Sequence, residues 1–386
     1  MDGSRYIKIP YVGLFLVLLS VLVTCRPQDS DPGDFQNSNS KKPQYARGFQ
    51  WETTGGITLL KVTRPWAGAQ RSYTYALIPK GKTLPDSLNI DQTISIPVTN
   101  LVVTSTSHIP ALDMMGVSHY LSGFPQTQYI TSSKMREQID RGTIEEVGAA
   151  NGLNYEALIE LSPQLIMTYQ SGPDDSELEA LQLTGIPTVI NADFLEESPL
   201  GRAEWIKFTG LLLDKYDHAD SIFKIIENAY LTLADSVRSL KNRPRVFSGS
   251  LYGDSWFAPA GNSFFSKFIQ DAGGEYVWRR NRQTGSLELS FEAVIEENSN
   301  TDFWLGVGGF TSLGELEAAD PRYANFQAFQ ESRVYNYHGR RGASGGFEYL
   351  ELGGARPDIV LQDFIKILHP QLLPDYHLYF FQRLDP

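Results

Sequence analysis

The sequence predicts an α/β protein of two lobes, each with a mainly parallel sheet flanked by helices. One long helix joins the lobes, and a β-hairpin extension precedes them. Three observations carry this reading. From Asp217 to Leu240, apolar residues recur at Ile222, Ile226, Ala229, Leu233, Val237 and Leu240, close to the helical period. On both sides of that stretch, short apolar runs alternate with helix-start signals, as strands and helices do in parallel sheets. One pattern, a capping residue followed by an aromatic, Glu and Ala, occurs once on each side. A helix of this length reaches roughly 30 Å, enough to run behind two lobes.

The expected order is a signal peptide with a lipid-attachment motif over 1–25, then a flexible tether over 26–44. A β-rich extension covers 45–97, the first lobe 98–216, the connecting helix 217–243 and the second lobe 244–386. The chain has 386 residues, 41% hydrophobic and 20% charged, which is ordinary globular composition with room for about two domains. Its net charge of −12 argues against a general nucleic-acid binder, whose phosphate contacts need clustered Lys and Arg. No internal apolar run is long enough to span a bilayer.

At the N-terminus, Arg5 and Lys8 precede an apolar stretch from Val12 to Val23. Its length and flanks suit an export signal rather than a spanning helix. The stretch ends in Leu22-Val23-Thr24-Cys25, and Cys25 is the only cysteine in the chain. That run resembles a bacterial lipobox, which implies lipidation of Cys25 and an envelope lipoprotein facing the periplasm; Thr24 is larger than the residue usual there. A mature chain beginning at Cys25 has no second cysteine for an internal disulfide. Arg26 to Gln44, rich in Asp, Ser, Asn and Pro without apolar period, reads as a tether.

In the extension, Ile57–Val62 and Tyr73–Pro79 read as strands separated by the turn residues Arg64-Pro65-Trp66-Ala67-Gly68. Leu101–Val103 is a short buried strand, and a brief helix around Pro110 ends at Gly116. Asn154 caps a helix through Leu161, and Leu165–Thr168 is a strand. Ser176 with Glu179 has the spacing of a capping box, Gly185 closes that helix, and Thr188–Ile190 is the next strand. Ser198-Pro199 opens another helix, with a cap followed by proline at the first helical position. Asn242-Arg243-Pro244 stops the connecting helix, because proline disfavours helical geometry in the residue before it. Beyond it, Val246-Phe247 is a strand, Ser263 caps a helix that stops at Gly273-Gly274, and Ser290 caps a helix from Phe291. Asp302–Val307 is a strand, Pro321 opens a helix, and Val334–Tyr337 is a strand. Pro357–Leu368 is a final amphipathic helix.

The repeat can be set out residue by residue. Asn154-Tyr155-Glu156-Ala157-Leu158-Ile159-Glu160 leads through a polar break into the strand at Leu165. Ser290-Phe291-Glu292-Ala293-Val294-Ile295-Glu296 leads in the same way into the strand at Phe303. Glu156 and Glu292 each lie in a first helical turn, where the helix dipole favours a carboxylate. Together with the long helix, the Gly185-Ile186-Pro187 turn, Asp271-Ala272-Gly273-Gly274 and Arg356-Pro357-Asp358, this order resembles the helical-backbone (class III) substrate-binding proteins of ABC importers. These carry ferric siderophores, haem and cobalamin. The resemblance runs from about Pro97 to Pro374.

The resemblance implies a monomeric binding protein without a catalytic step. It would hold a metal chelate, an iron–siderophore complex first and haem or cobalamin otherwise, and dock on a permease through Glu156 and Glu292. It places the ligand on loops that here carry Phe124, Tyr129, Tyr169, Gln170, Tyr252, Trp256, Arg340 and Arg341. Aromatic faces suit a macrocycle or chelate, and arginines suit an anionic centre. The histidines, at His108, His119, His218, His338, His369 and His377, have no close ligand spacing, so the metal is expected to arrive already chelated. A hydrolase is the alternative of another class. Gly342-Ala343-Ser344-Gly345-Gly346 matches G-x-S-x-G, with Asp358 and His369 following in order. No strand directly precedes Ser344 and no helix directly follows it, as that motif requires.

Overall fold

The computed structural model describes residues 41–84, 88–149, 152–174 and 176–386. The signal segment, Cys25 and the tether as far as residue 40 lie outside the described residues. No described helix is long and apolar enough to cross a membrane.

The extension is larger than a hairpin. It forms a four-stranded sheet of β1 (Phe49–Thr54), β2 (Ile57–Val62), β3 (Tyr73–Pro79) and β4 (Gln92–Ile96), in that order. The tight hairpin is β1–β2, closed by Gly55 and Gly56, both at positive φ. That conformation suits a two-residue turn whose twist matches the strands. β2 and β3 are also antiparallel, whereas β4 runs parallel to β3. Phe49, Trp51, Leu60, Val62 and Tyr75 are buried in the same core as Phe208 of the first lobe and Phe223 of the connecting helix. The Ile190 backbone N–H donates to the Tyr75 hydroxyl at 3.1 Å, so extension and lobe share one core.

In the first lobe the strands are β5 (Leu101–Val103), β6 (Leu121–Phe124), β7 (Glu145–Glu146), a small hairpin of β8 (Gly148–Ala149) and β9 (Gly152–Leu153), then β10 (Leu165–Thr168) and β11 (Thr188–Ile190). The sheet order is β11-β10-β5-β6-β7, parallel throughout. The helices are α1 (Ile109–Met114), α2 (Ser133–Asp140), α3 (Tyr155–Leu161), α4 (Ser176–Leu183), α5 (Pro199–Ala203) and α6 (Ile206–Leu212). Asn154 caps α3, accepting from Ala157 N–H at 3.1 Å, and Ser198 caps α5. The expected cap of α4 moves upstream: Ser176 is already helical, and its N–H donates to the Asp174 carboxylate at 3.0 Å.

The connecting helix α7 covers Tyr216–Val237. It ends three residues short of Leu240, whose N–H donates to the Val237 carbonyl in a tighter turn. Its buried face is Ala219, Phe223, Ile226, Tyr230 and Val237, one position away from the expected stripe at several points. Aromatic Phe223 and Tyr230 reach further into the cores than Ile222 and Ala229. Ala219, Phe223 and Ile226 belong to the first lobe's core, Tyr230 and Val237 to the second's, so one helix is packed into both.

The second lobe has β12 (Arg245–Phe247), β13 (Ser250–Tyr252), β14 (Ser255–Pro259), β15 (Glu275–Tyr276), β16 (Ser286–Leu289), β17 (Phe303–Leu305), β18 (Val334–Asn336) and β19 (Gln382–Arg383). The main sheet is β15-β12-β17-β18-β19, parallel except for β19. β13-β14-β16 form a separate antiparallel sheet. The helices are α8 (Phe264–Asp271), α9 (Phe291–Asn298), α10 (Leu313–Ala319), α11 (Gln327–Gln330), α12 (Glu348–Leu352) and α13 (Pro357–Leu368). Ser290 caps α9 at 3.2 Å from Ala293 N–H, so the two halves of the repeat share a cap geometry as well as a sequence. Pro321 opens a helix of the 3-10 type, Pro321–Asn325, rather than an α-helix. Helix α10, absent from the sequence expectation, starts at a capping box: Ser312 accepts from Glu315 N–H, and Glu315 accepts from Thr311 N–H.

Candidate functional site

The carboxyl ends of parallel strands are where open α/β sheets place ligands, and a cavity of about 650 Å³ lies there. The second lobe contributes Ser248 and Gly249 after β12, Gly306 and Gly308 after β17, and Tyr337 after β18. The first lobe contributes the loop after β11, from Phe194 to Glu197. Phe257 on β14, Phe264 on α8, and Tyr349 and Leu350 on α12 complete much of the wall. Gly249 is required at its position: it has φ +98°, and a Cβ there would lie 2.1 Å from the Phe257 carbonyl oxygen.

Glu196 ties the extension to this wall. Its buried carboxylate accepts from Arg47 N–H at 2.9 Å, Gly48 N–H at 2.8 Å and the Trp205 indole N–H at 2.9 Å. Nearby, buried Glu204 accepts from the backbone N–H groups of Gln44, Tyr45 and Ala46, and pairs with Lys207 at 2.9 Å. Lys207 reaches on to Asp220 of α7 at 2.9 Å. The Tyr45 hydroxyl donates to Glu227, and burial and that carboxylate push its ionisation up to about 12. Sequence reasoning missed these anchors; a run of carboxylates at 196, 197 and 204 amid apolar residues was the available signal.

A second lobe-to-lobe connection runs through α12. Glu351 is 4% exposed and accepts from Thr131 N–H at 2.7 Å and Ser132 N–H at 3.0 Å. Burial, with Asp113 close by, outweighs those two bonds and pushes its pKa up to about 7.

The structure distributes the sequence-predicted residues unevenly. Tyr169 and Tyr252 are exposed, their rings 6.1 Å from Phe194 and 6.3 Å from Phe257 respectively, beside the cavity wall. Trp256 is a correction: it is 0% exposed, its indole N–H donates to the Ser248 carbonyl, and its ring stacks with Phe247 and Trp304 in the second core. Phe124 is likewise buried in the first core. Gln170 is buried and donates to the Asp174 carbonyl at 3.2 Å, away from the cleft wall. Tyr129 is exposed and is not among the lining residues, its carbonyl against Gly346 of the other lobe. Neither arginine reaches the wall: Arg340 donates to Glu348 at 2.9 Å and covers the Tyr379 ring, and Arg341 covers Phe347.

Glu156 and Glu292 are both exposed in the first turns of α3 and α9. Glu292 lies 3.5 Å from Arg322. His108 is buried 4.0 Å from Asp193, and burial lowers its pKa. The hydrolase residues do not form a relay. Ser344 is exposed in a turn, Asp358 pairs with Arg356 at 2.7 Å, and the His369 ring lies 3.3 Å from the Gly273 carbonyl.

Two sheet-centred lobes with an aromatic cleft between them define a solute-binding protein. The family described as periplasmic binding protein matches residues 101–340, and the chain belongs to that family. It is 26% identical over 303 residues to an uncharacterized lipoprotein of Methanocaldococcus jannaschii, covering 76% of this chain and 70% of the relative. Among solved structures, it is similar to a periplasmic haem-binding protein of Pseudomonas aeruginosa. That likeness has a TM-score of 0.55 at 15% identity, over 75% of this chain and 99% of the other. It is also similar to Helicobacter pylori CeuE with Ni(II) bound, with a TM-score of 0.56 at 17% identity, over 74% of this chain and 88% of the other.

Proposed function

We propose that this protein captures a metal chelate in the cleft between its lobes and delivers it to the permease of an ABC importer, held at the envelope by a lipid on Cys25. An iron–siderophore complex is the first candidate, with haem and cobalamin as alternatives. The observation that carries this is the cavity itself, set at the strand ends and walled by Phe194, Phe257, Phe264, Tyr337 and Tyr349. Aromatic faces of this kind contribute large apolar area against a chelate or macrocycle. The names of structurally similar proteins, which include haem-binding and Ni(II)-bound ones, agree with such cargo, and the lipoprotein name of the archaeal relative agrees with an anchor.

A thermal-shift screen of the full chain in detergent against haem, cobalamin, ferric siderophores and the metal-free siderophores tests the reading. A ligand at one hundred times its dissociation constant stabilises by about 2.7 kcal/mol, so a shift with one chelate class is expected. No shift with any of them would sink it.

Docking is assigned to Glu156 and Glu292, because separated exposed carboxylates orient and steer a partner more than they tighten it. Glu156→Lys is expected to reduce uptake by roughly tenfold, equivalent to about 1.4 kcal/mol in docking, with chelate affinity unchanged. An equal loss of chelate affinity would reject the docking role. Glu292 already faces Arg322, so Glu156 gives the cleaner test.

A further inference from the structure

We infer that the cleft selects a neutral or cationic chelate with a broad apolar face over an anionic one, and that the Tyr349 hydroxyl reads a polar acceptor atom on it. This rests on the chelate-binding reading above and narrows it to a charge class.

The charge of the wall is the first support. The described lining residues include Glu196 and Glu197 and no Lys or Arg. Glu196 is answered by two backbone N–H groups and an indole, and both glutamates lie 3.7 Å from Arg64. The cations near the cleft are turned to other work. Arg202 sits against the Phe264 ring and 3.6 Å from Asp193, while Arg340 and Arg341 are held as described. The two glutamates share the single Arg64 cation, which is not itself a lining residue, so the wall keeps a net negative charge and offers an anionic ligand no lining guanidinium; repulsion strengthens as water is excluded. Haem propionates and a tris-catecholate both present such charge. The described wall also carries no His, Cys or Met, so its chemistry toward a metal complex is that of faces and hydrogen bonds rather than ligation.

Tyr349 carries the assignment of the hydroxyl, which is independent of the charge of the wall. It is 8% exposed, lines the cavity, and stacks on Tyr337 with ring centroids 5.0 Å apart. Its hydroxyl oxygen is buried without a hydrogen-bond partner among the described residues. A buried donor left unpaired is costly, and because the oxygen is covered in the unliganded structure, a carbonyl or hydroxamate oxygen on a ligand would satisfy it once the Tyr349 side chain shifts toward the cavity. Burial also raises its ionisation, which keeps it a donor.

The test titrates the full chain in detergent with four probes: ferrichrome, a neutral ferric tris-hydroxamate; cyanocobalamin, neutral overall; haem b; and a ferric tris-catecholate. Expected is binding of ferrichrome or cyanocobalamin at least roughly tenfold tighter than either anionic probe. Tyr349→Phe should weaken the bound neutral probe about five- to tenfold while leaving the thermal midpoint of the unliganded protein unchanged or higher. A merely structural tyrosine would not give that split. Glu197→Lys, at an exposed rim position, should improve the anionic probes. Anionic probes binding as tightly as neutral ones would overturn the charge inference and leave the binding protein standing. Failure of all four to bind would overturn the chelate reading and this inference with it. An unchanged affinity in Tyr349→Phe would remove the role of the hydroxyl.

Discussion

Asp363→Ala is expected to destabilise the protein by about 3 kcal/mol or more. Asp363, on α13, is 0% exposed. Its carboxylate accepts from the backbone N–H groups of Tyr379 at 2.8 Å, Phe380 at 2.7 Å and Phe381 at 2.9 Å, and from the Tyr376 hydroxyl at 2.8 Å. Alanine would leave backbone donors stranded next to the core, and each such group costs about 1–3 kcal/mol. Some of that is offset, because burial raises the Asp363 pKa and its ionised form is therefore strained. The loss should reach the cleft. Phe381 packs edge-on against Tyr337 and Tyr349, so a loosened C-terminal segment removes the backing of the aromatic wall. Urea unfolding midpoints of Asp363→Ala, Asp363→Asn and wild type measure this. Asparagine, which keeps one acceptor oxygen, should fall between the other two. An alanine variant within about 1 kcal/mol of wild type would refute the role given to this carboxylate.

Glu351 should make the lobe-to-lobe contact depend on protons. Its pKa in the folded protein is about 7, raised by burial and by Asp113 against two backbone donors. The unfolded chain titrates near the ordinary glutamate value of about 4.3. Between these values the folded state holds a proton that the unfolded state has released. The contribution of this group is therefore most favourable below about pH 4.3 and is lost as pH rises through about 7, by roughly 3–4 kcal/mol in all. Among the neighbouring groups, Asp113 on α1 accepts from Ser118 and Ser132. His108 lies in the 3-10 turn that α12 contacts, and Arg202 packs against Gly354 just beyond it. Thermal midpoints of wild type and Glu351→Gln, measured from pH 5.5 to 8.5, isolate the effect. The wild-type midpoint should fall relative to the variant as pH rises through 7. Parallel curves would show that another group takes up the proton.

Much of the architecture was legible because it is local. Asn154, Ser198, Ser263 and Ser290 cap the helices they were expected to cap, since a capping side chain needs only the N–H groups two or three residues ahead. Gly116 and Gly185 end helices with positive φ. The extension was half legible. Gln92–Ile96 alternates polar and apolar residues, but its parallel partner lies across a crossover, and nothing local specifies that pairing. The cleft was the least legible part. Tyr252 and Trp256 lie on paired antiparallel strands, and the register sets one on the surface and the other in the core. An aromatic residue reads the same in sequence on either face.

The sequence by itself determined the strand–helix alternation, the repeat, the long helix and the pair of first-turn glutamates, because periodicity and capping act within a few residues. Tertiary structure decided which aromatics face the cleft, where the arginines spend their charge, and that Glu196, Glu204, Glu351 and Asp363 each gather backbone N–H groups from distant segments. Those outcomes depend on burial and on partners 16 to 220 residues away, and a carboxylate announces neither until the chain has folded around it.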